Sequence, residues 1–150
     1  MIDRAHPTPP RTLPVADVQS FRAALIGAVL LPGDIGYDDA RRVWNGLIDR
    51  RPALIVQCAG VSDVVETVRF AREHPMPVTV RGGGHQIAGS AVCDDGLVID
   101  LSRMHGVFVD PAARTARVQG GARWRDVDRA TQLFGLATTG GEVSDTASAW

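Results

Sequence analysis

The stretch Val78–Gly89 constrains this chain most, because it joins a β-branched apolar run to an arginine, three consecutive glycines and a histidine. Glycine loses more backbone freedom on folding than any other residue, so ordering three in a row is costly. The usual compensation is a backbone that turns its N–H groups toward an anion with no Cβ in the way. The sequence therefore predicts an anion-binding loop or, as the alternative, a glycine-rich turn packed against neighbouring backbone.

Two common glycine-rich motifs do not fit this loop. A Walker A loop ends in Gly-Lys-Ser/Thr, whereas this loop ends in Gly84-His85-Gln86. A dinucleotide fingerprint places its third glycine or alanine at the start of a helix, but Ile87 occupies that position and a strand is predicted next. An anion-binding loop of another type, flanked by Arg81, remains.

The residues around the loop predict a βαβ unit. Ala53–Val56 is a short apolar run typical of a parallel strand buried on both faces. Ser62 is a plausible cap for a helix whose inner face holds Val64, Val65, Val68 and Ala71, and Val78–Val80 forms the next strand. The loop then leaves the C-terminal end of a parallel strand, where open α/β sheets place ligands.

Further elements are predicted on both sides of this unit. Residues 1–14 are expected to form a flexible arm, and a helix is expected from Asp17 as N-cap, with Val18, Phe21, Ala24, Leu25, Ala28 and Val29 at helical spacing. A short helix after Asp38 or Asp39 should place Val43, Trp44 and Leu47 on one face. Later elements are a strand at Leu97–Leu101, a hairpin of Val107–Val109 and Thr115–Gln119, and a helix marked by Trp124, Val127 and Leu133 that ends at Gly135.

Composition excludes several functional classes. The chain has 150 residues and a formal net charge of −1, which argues against a general nucleic-acid-binding protein. All 16 basic residues are arginine, so mechanisms that need a lysine are excluded. The N-terminal residues lack a secretory signal and no apolar run has membrane-spanning length, so the expected location is the cytoplasm, without membrane association.

Few side chains outside the loop suggest chemistry. Without further information His85 lines a pocket or acts as a nucleophile, and no partner lies at metal-ligand spacing from it. Cys58 is expected to be a small buried residue, while His74 and His105 are expected at the surface. Asp94-Asp95-Gly96 is typical of a turn. Gly120-Gly121 and Gly140-Gly141 are either points of close approach to a ligand or sharp turns.

Several longer motifs, in order, give the chain a resemblance to a known family. Residues 36–146 resemble the N-terminal FAD-binding (PCMH-type) part of berberine-bridge-enzyme-like FAD-linked oxidases, in the vanillyl-alcohol-oxidase superfamily. The motifs are Tyr37-Asp38-Asp39-Ala40-Arg41, Val43-Trp44-Asn45-Gly46, Arg50–Ile55, Val80–His85, Asp94–Ser102 and Gly140–Thr146.

The resemblance implies roles for particular residues. Arg81, Gly82, Gly83, Gly84, His85, Gln86, Ile87, Ala88 and Gly89 would hold the FAD pyrophosphate, mainly through backbone N–H groups. His85 would be bonded covalently to the 8α-methyl group of the flavin, and Gly141, Ser144 and Thr146 would add cofactor contacts. Val143 stands where some members carry a second, cysteinyl link, so that link is expected to be absent.

The resemblance also implies a fold and a function. The expected fold is α+β: an incomplete PCMH-type FAD-binding domain, with a small parallel βαβ subdomain followed by the start of an antiparallel-sheet subdomain. Residues 1–35 would form the N-terminal arm and helix, and residues 36–150 the truncated FAD-binding domain. The expected function is the FAD-binding portion of an oxidase that takes a hydride from a small alcohol, sugar or secondary metabolite and passes electrons to oxygen. The substrate domain and the catalytic base are expected to lie beyond this chain, so no catalytic residue is assigned. The alternative is a non-catalytic remnant or a nucleotide- or partner-binding module.

Overall fold

The computed structural model describes residues 13–146, and it has the expected mixed α and β composition. The predicted arm falls almost wholly outside these residues. In chain order the elements are α1 (Val15–Ala24), β1 (Ala28–Leu30), α2 (Tyr37–Ala40), β2 (Leu54–Gln57), α3 (Val61–Glu73), β3 (Val78–Arg81), β4 (Leu97–Asp100), β5 (Val107–Asp110), β6 (Thr115–Val118), α4 (Trp124–Thr131) and a 3₁₀ turn (Gln132–Phe134). Within the described part of the chain, no helix is long and apolar enough to cross a membrane.

A four-stranded sheet forms the centre of the first part. Its strand order is β1-β2-β4-β3, with β2, β4 and β3 mutually parallel and β1 antiparallel to β2. The parallel strands expected on either side of α3 are confirmed, but β4 lies between them. All four residues of β4 are buried, as a central parallel strand requires.

Both faces of this sheet are covered. Leu54 and Val56 point into a cluster with Phe21 and Phe70 from the helices α1 and α3. Ile55, between them in sequence, points into the opposite cluster with Tyr37. Successive side chains of a strand point to opposite faces of the sheet. Because both faces are buried here, every residue of this part of β2 has to be apolar.

The first predicted helix is too long and its predicted cap is wrong. Helix α1 ends at Ala24, and Ala28 and Val29, expected in the helix, lie in β1. Pro14, not Asp17, precedes the first helical residue. The helix cannot continue because the buried carboxylate of Asp63 accepts the N–H groups of Ile26 and Gly27, both at 2.9 Å.

Helix α3 exists as predicted, but its cap and its inner face differ. Gly60 occupies the N-cap and Ser62 lies within the first turn. The buried residues are Asp63, Thr67 and Phe70, whereas Val65 and Val68 are exposed. The hydrogen bonds of Asp63 and the stacking of Phe70 on Phe21, at 4.1 Å between ring centroids, fix this rotation of the helix.

Two other expectations fail nearby. The predicted helix after Asp38 is limited to α2, and Trp44 and Leu47 are 69% and 92% exposed instead of sharing a buried face. His74, expected at the surface, is half-buried: its Nε2 lies 3.1 Å from a carboxylate oxygen of Asp17 and its ring stacks on Phe70. It therefore joins α3 to α1.

The predictions for the elements after β4 are confirmed. Strands β5 and β6 form an antiparallel hairpin, a separate two-stranded sheet, and α4 packs against β5. The last helix finishes as a 3₁₀ turn closed by Gly135 in the left-handed conformation. Asp94, Asp95 and Gly96 form a bend before β4, as expected, in which Asp95 has a φ of +52°. Asp94 also accepts the N–H of Arg51 at 2.7 Å. Gly121 is a point of close backbone packing, because a Cβ there would lie 1.8 Å from the carbonyl oxygen of Leu101.

Candidate functional site

The glycine loop begins where β3 ends, at the C-terminal edge of the parallel strands. Arg81 is the last residue of β3 and is paired in register with Asp100 of β4. Gly84 and Gly89 are buried and have φ of +71° and +73°, so the loop needs glycine at both positions. His85 between them is half-buried, and Gln86, Ile87 and Ala88 are exposed. The prediction that the loop follows the C-terminal end of a parallel strand is therefore confirmed.

A run of unused donors is the main chemical feature of the loop. Within residues 13–146, the backbone N–H groups of residues 82–88 donate to no protein acceptor. The loop closes only afterwards, where the N–H of Gly89 donates to the carbonyl of Gln86 at 3.1 Å. More than nine in ten buried backbone N–H groups in proteins are paired, so the free N–H of buried Gly84 is unusual. Seven adjacent free donors form a cradle suited to an anion.

Arg81 adds positive charge at the start of the cradle. One terminal nitrogen of its guanidinium donates to the carbonyl of Ala40 at the end of α2, while its Nε is buried without a hydrogen-bond partner. In the described part of the chain no carboxylate pairs with it. A Cβ on Gly84 would lie 3.3 Å from this Nε, so the guanidinium packs directly beneath the loop. A buried polar N–H on a cation without a counter-charge favours binding of an anion.

Residues 44–48 contact the loop and hold it in place. The sequence did not predict these contacts. The N–H of Trp44 donates to the carbonyl of Gly84 at 2.9 Å. The side-chain amide of Asn45 donates to the carbonyl of Ile87, also at 2.9 Å. Ile48 packs so closely on Gly89 that a Cβ there would lie 2.8 Å from its side chain. The motif Val43–Gly46 was the available signal, but its spacing alone did not indicate these contacts.

Charged groups next to this support are paired with one another. Arg41 forms ion pairs with Asp38 and Asp49. The hydrogen bond from Arg41 holds the pKa of each of these carboxyl groups below its usual range. Burial raises the pKa of Tyr37, whose hydroxyl donates to the carbonyl of Pro52 at 2.6 Å. These groups are committed to local structure, unlike the guanidinium of Arg81, which packs beneath Gly84.

The second predicted group, Gly141, Ser144 and Thr146, lies at the start of α4. The carbonyls of Ser144 and Thr146 accept the N–H groups of Arg125 and Trp124 at 2.9 and 3.1 Å. A Cβ on Gly141 would lie 2.8 Å from the Trp124 indole nitrogen, so this turn wraps the tryptophan. Among the described residues, no hydrogen bond or ion pair joins this turn to residues 81–89. Val143 is exposed.

The two cysteines are structural. Cys58 and Cys93 are both free and buried, and burial raises the pKa of the Cys58 thiol to about 11. A thiol with so high a pKa is a poor nucleophile near neutral pH. The expectation that Cys58 is a small buried residue is confirmed. No cluster of three metal-ligating side chains occurs within residues 13–146.

Comparison with known proteins relates the chain to FAD-binding proteins. Residues 52–147 match the family described as FAD binding domain. The chain is 37% identical over 115 residues to (R)-6-hydroxynicotine oxidase of Paenarthrobacter nicotinovorans, an alignment that covers 77% of this chain and 25% of that protein.

Solved structures agree with this match. The crystal structure of 6-hydroxy-D-nicotine oxidase from Arthrobacter nicotinovorans superimposes with a TM-score of 0.79 at 35% identity, covering 83% of this chain and 27% of that one. A berberine-bridge-enzyme-like protein of Physcomitrella patens shares the fold, with a TM-score of 0.77 at 24% identity over 87% of this chain and 29% of its own.

The chain thus spans about a quarter of the length of the relatives it matches. These matches favour the flavin oxidoreductase interpretation over the binding-module alternative. The cradle of free N–H groups after a parallel strand, together with the family match, leads to one conclusion: the chain belongs to the FAD binding domain family and is similar to FAD-linked oxidoreductases.

Proposed function

We propose that this chain is the FAD-binding portion of an oxidase that takes a hydride from a small alcohol, sugar or secondary metabolite and passes the electrons to oxygen. The observation that carries the proposal is the run of seven free N–H groups at residues 82–88. When bound, FAD supplies the hydride acceptor, and the protein supplies position and electrostatics. The relative named (R)-6-hydroxynicotine oxidase supports a small-molecule substrate.

The residues of the loop suit the FAD pyrophosphate. Gly82, Gly83 and Gly84 present N–H groups without side chains that would hold the phosphates away. Gln86, Ile87 and Ala88 continue the free donors, and Gly89 closes the loop. Arg81 provides a fixed cation beneath it, which offsets part of the pyrophosphate charge.

His85 is the residue we propose for covalent attachment. Its imidazole has no hydrogen-bond or ion-pair partner in the described residues, so no contact within the protein occupies either ring nitrogen. A neutral imidazole nitrogen is a competent nucleophile near neutral pH. This nitrogen would bond to the 8α-methyl carbon of the flavin while the imidazole N–H bond and one methyl C–H bond break. The flavin would take up the two protons and two electrons that are released, and oxygen, the electron acceptor of the proposed reaction, would reoxidise it. A second, cysteinyl link is not proposed, because Val143 occupies the matching position.

Gly141, Ser144 and Thr146 are proposed as further cofactor contacts. Two of their carbonyls are used by α4, but the N–H and hydroxyl of Ser144 donate to no acceptor within residues 13–146. Ser144 therefore has two free donors for the cofactor, and the N–H of Gly141 is a third, since it also donates to no acceptor in the described residues.

The attachment is tested by expressing the chain with FAD, denaturing it and measuring the flavin fluorescence that stays with the polypeptide. The matched control is His105→Ala, which removes an exposed histidine outside the loop. We expect retained fluorescence in the unaltered chain and in the control, and none in His85→Ala. Retention in His85→Ala would refute attachment at this residue, and a colourless unaltered chain would refute covalent attachment altogether.

A further inference from the structure

The side chain of Asn45 makes two hydrogen bonds with different purposes. Its Oδ1 accepts the N–H of Leu47 at 3.1 Å, which closes a local turn. Its Nδ2 donates to the carbonyl of Ile87 at 2.9 Å, 42 residues away. Only the second bond reaches the glycine loop.

This bond and its neighbour secure the loop on either side of His85. Trp44 holds the carbonyl of Gly84 through its own N–H, and Asn45 holds the carbonyl of Ile87. The peptide units between residues 84 and 85 and between 87 and 88 are therefore both tied to residues 44–45. His85 and Gln86 lie between these two anchors.

Tying a carbonyl also sets the direction of the next N–H group. A trans peptide unit is planar, and its C=O and N–H bonds point in opposite directions. The described peptide bonds are trans. Because the Gly84 and Ile87 carbonyls point toward residues 44–45, the N–H groups of His85 and Ala88 point away from that support, toward the open side of the loop.

We propose that Asn45 is a positioning residue for cofactor binding: it holds the 87–88 peptide unit so that the Ala88 N–H joins the other free donors. This inference rests on the proposed function of the loop. Without this hydrogen bond from Asn45 to Ile87, the exposed residues 86–88 would have to be ordered when the anion binds. The conformational entropy lost in ordering them would weaken binding.

The test compares Asn45→Ser with Asn45→Ala. A serine hydroxyl still accepts the Leu47 N–H, but its side chain is too short to reach Ile87. Asn45→Ser therefore removes the hydrogen bond to Ile87 and keeps the local turn. Asp39→Asn is the control, since Asp39 lies on the same segment and forms an exposed ion pair with Arg42. The first readout is a fluorescence titration with FAD at fixed salt. The second is the ¹⁵N order parameter of the Ile87 and Ala88 amides in the flavin-free protein, which does not depend on cofactor binding.

We expect FAD to bind about fivefold more weakly to both Asn45 variants, as the loss of one hydrogen bond implies. The order parameters at residues 87 and 88 should fall in both, while Asp39→Asn matches the unaltered chain. Unchanged order parameters in Asn45→Ser, or lower ones with unchanged affinity, would overturn the inference. If the unaltered chain binds no FAD, the proposed function fails, and the role of Asn45 in fixing the loop is still decided by the order parameters.

Discussion

Replacing Gly89 by alanine tests how tightly the loop is built against its support. The structure gives two costs for Gly89→Ala. The φ of +73° is left-handed, which costs an alanine about 1–2 kcal/mol. The new Cβ would also lie 2.8–2.9 Å from three carbons of the Ile48 side chain, and such overpacking costs roughly 1–3 kcal/mol.

A substitution at Gly135 is a control that carries the backbone cost alone. It has a similar φ of +63°, but no heavy atom lies within 4 Å of the Cβ position. Gly135→Ala therefore carries the backbone cost and the same change in unfolded-state entropy without the clash. The difference between the two variants in the free energy of unfolding isolates the clash, and we expect it to be about 1–3 kcal/mol.

The assay is urea denaturation of the 150-residue chain, with Ile48→Ala added to complete a double-mutant cycle. Removing the Ile48 side chain beyond Cβ should make Gly89→Ala cost the same as Gly135→Ala. Equal destabilisation by Gly89→Ala and Gly135→Ala in the unaltered background, or no coupling between positions 89 and 48, would refute the close packing.

Three further predictions concern charged groups. Asp63→Asn should lower the free energy of unfolding at pH 7 by at least about 2 kcal/mol, because a buried carboxylate that accepts several N–H groups is lost. Burial raises the pKa of Asp63, but these hydrogen bonds outweigh it and hold the pKa below its ordinary value of 3.8. The stabilisation by Asp63 is therefore present above pH 3.8 and is lost as the pH falls through the lower pKa of the folded state. In urea titrations, the free energy of unfolding should change less between pH 7 and pH 3 in the variant than in the unaltered chain. The hydrogen bond to Asp17 raises the pKa of His74 above 6.5. The contribution of this pair to the free energy of unfolding is therefore complete below pH 6.5 and is lost as the pH rises through the raised value. Asp17→Asn should lower the pKa of His74 in an NMR titration, and an unchanged pKa would contradict the pairing. Arg81→Met should weaken FAD binding at least about tenfold in a fluorescence titration while circular dichroism stays unchanged, and unchanged affinity would exclude the guanidinium as a counter-charge.

Local pattern was enough to predict strands β2 to β6 and the position of the loop. The apolar runs at residues 53–56 and 97–101 could be satisfied only by burial on both faces of a sheet, and they form β2 and β4. The hairpin followed from its turn residues. Three glycines directly after a strand could be placed at the sheet edge without knowledge of distant contacts.

The failures involve contacts between distant residues. Strand β1 has only three residues, and its start depends on Asp63, 36 residues beyond Gly27. Trp44 has helical spacing with Leu47, but the conformation of Trp44 and Asn45 is set by carbonyls in the loop some 40 residues later. Periodicity describes neighbours along the chain and carries no information on such pairs.

The central claim is that the free N–H groups of residues 82–88 bind the pyrophosphate of FAD. Its most direct test is an NMR titration of the ¹⁵N-labelled chain with FAD, following every backbone amide. We expect the largest shifts to fall on residues 82–88 and to move downfield as the N–H groups gain an acceptor. ADP, which contains the adenosine and both phosphates of FAD, should reproduce these shifts. Binding of FAD that leaves these amides unchanged and shifts another surface would contradict it.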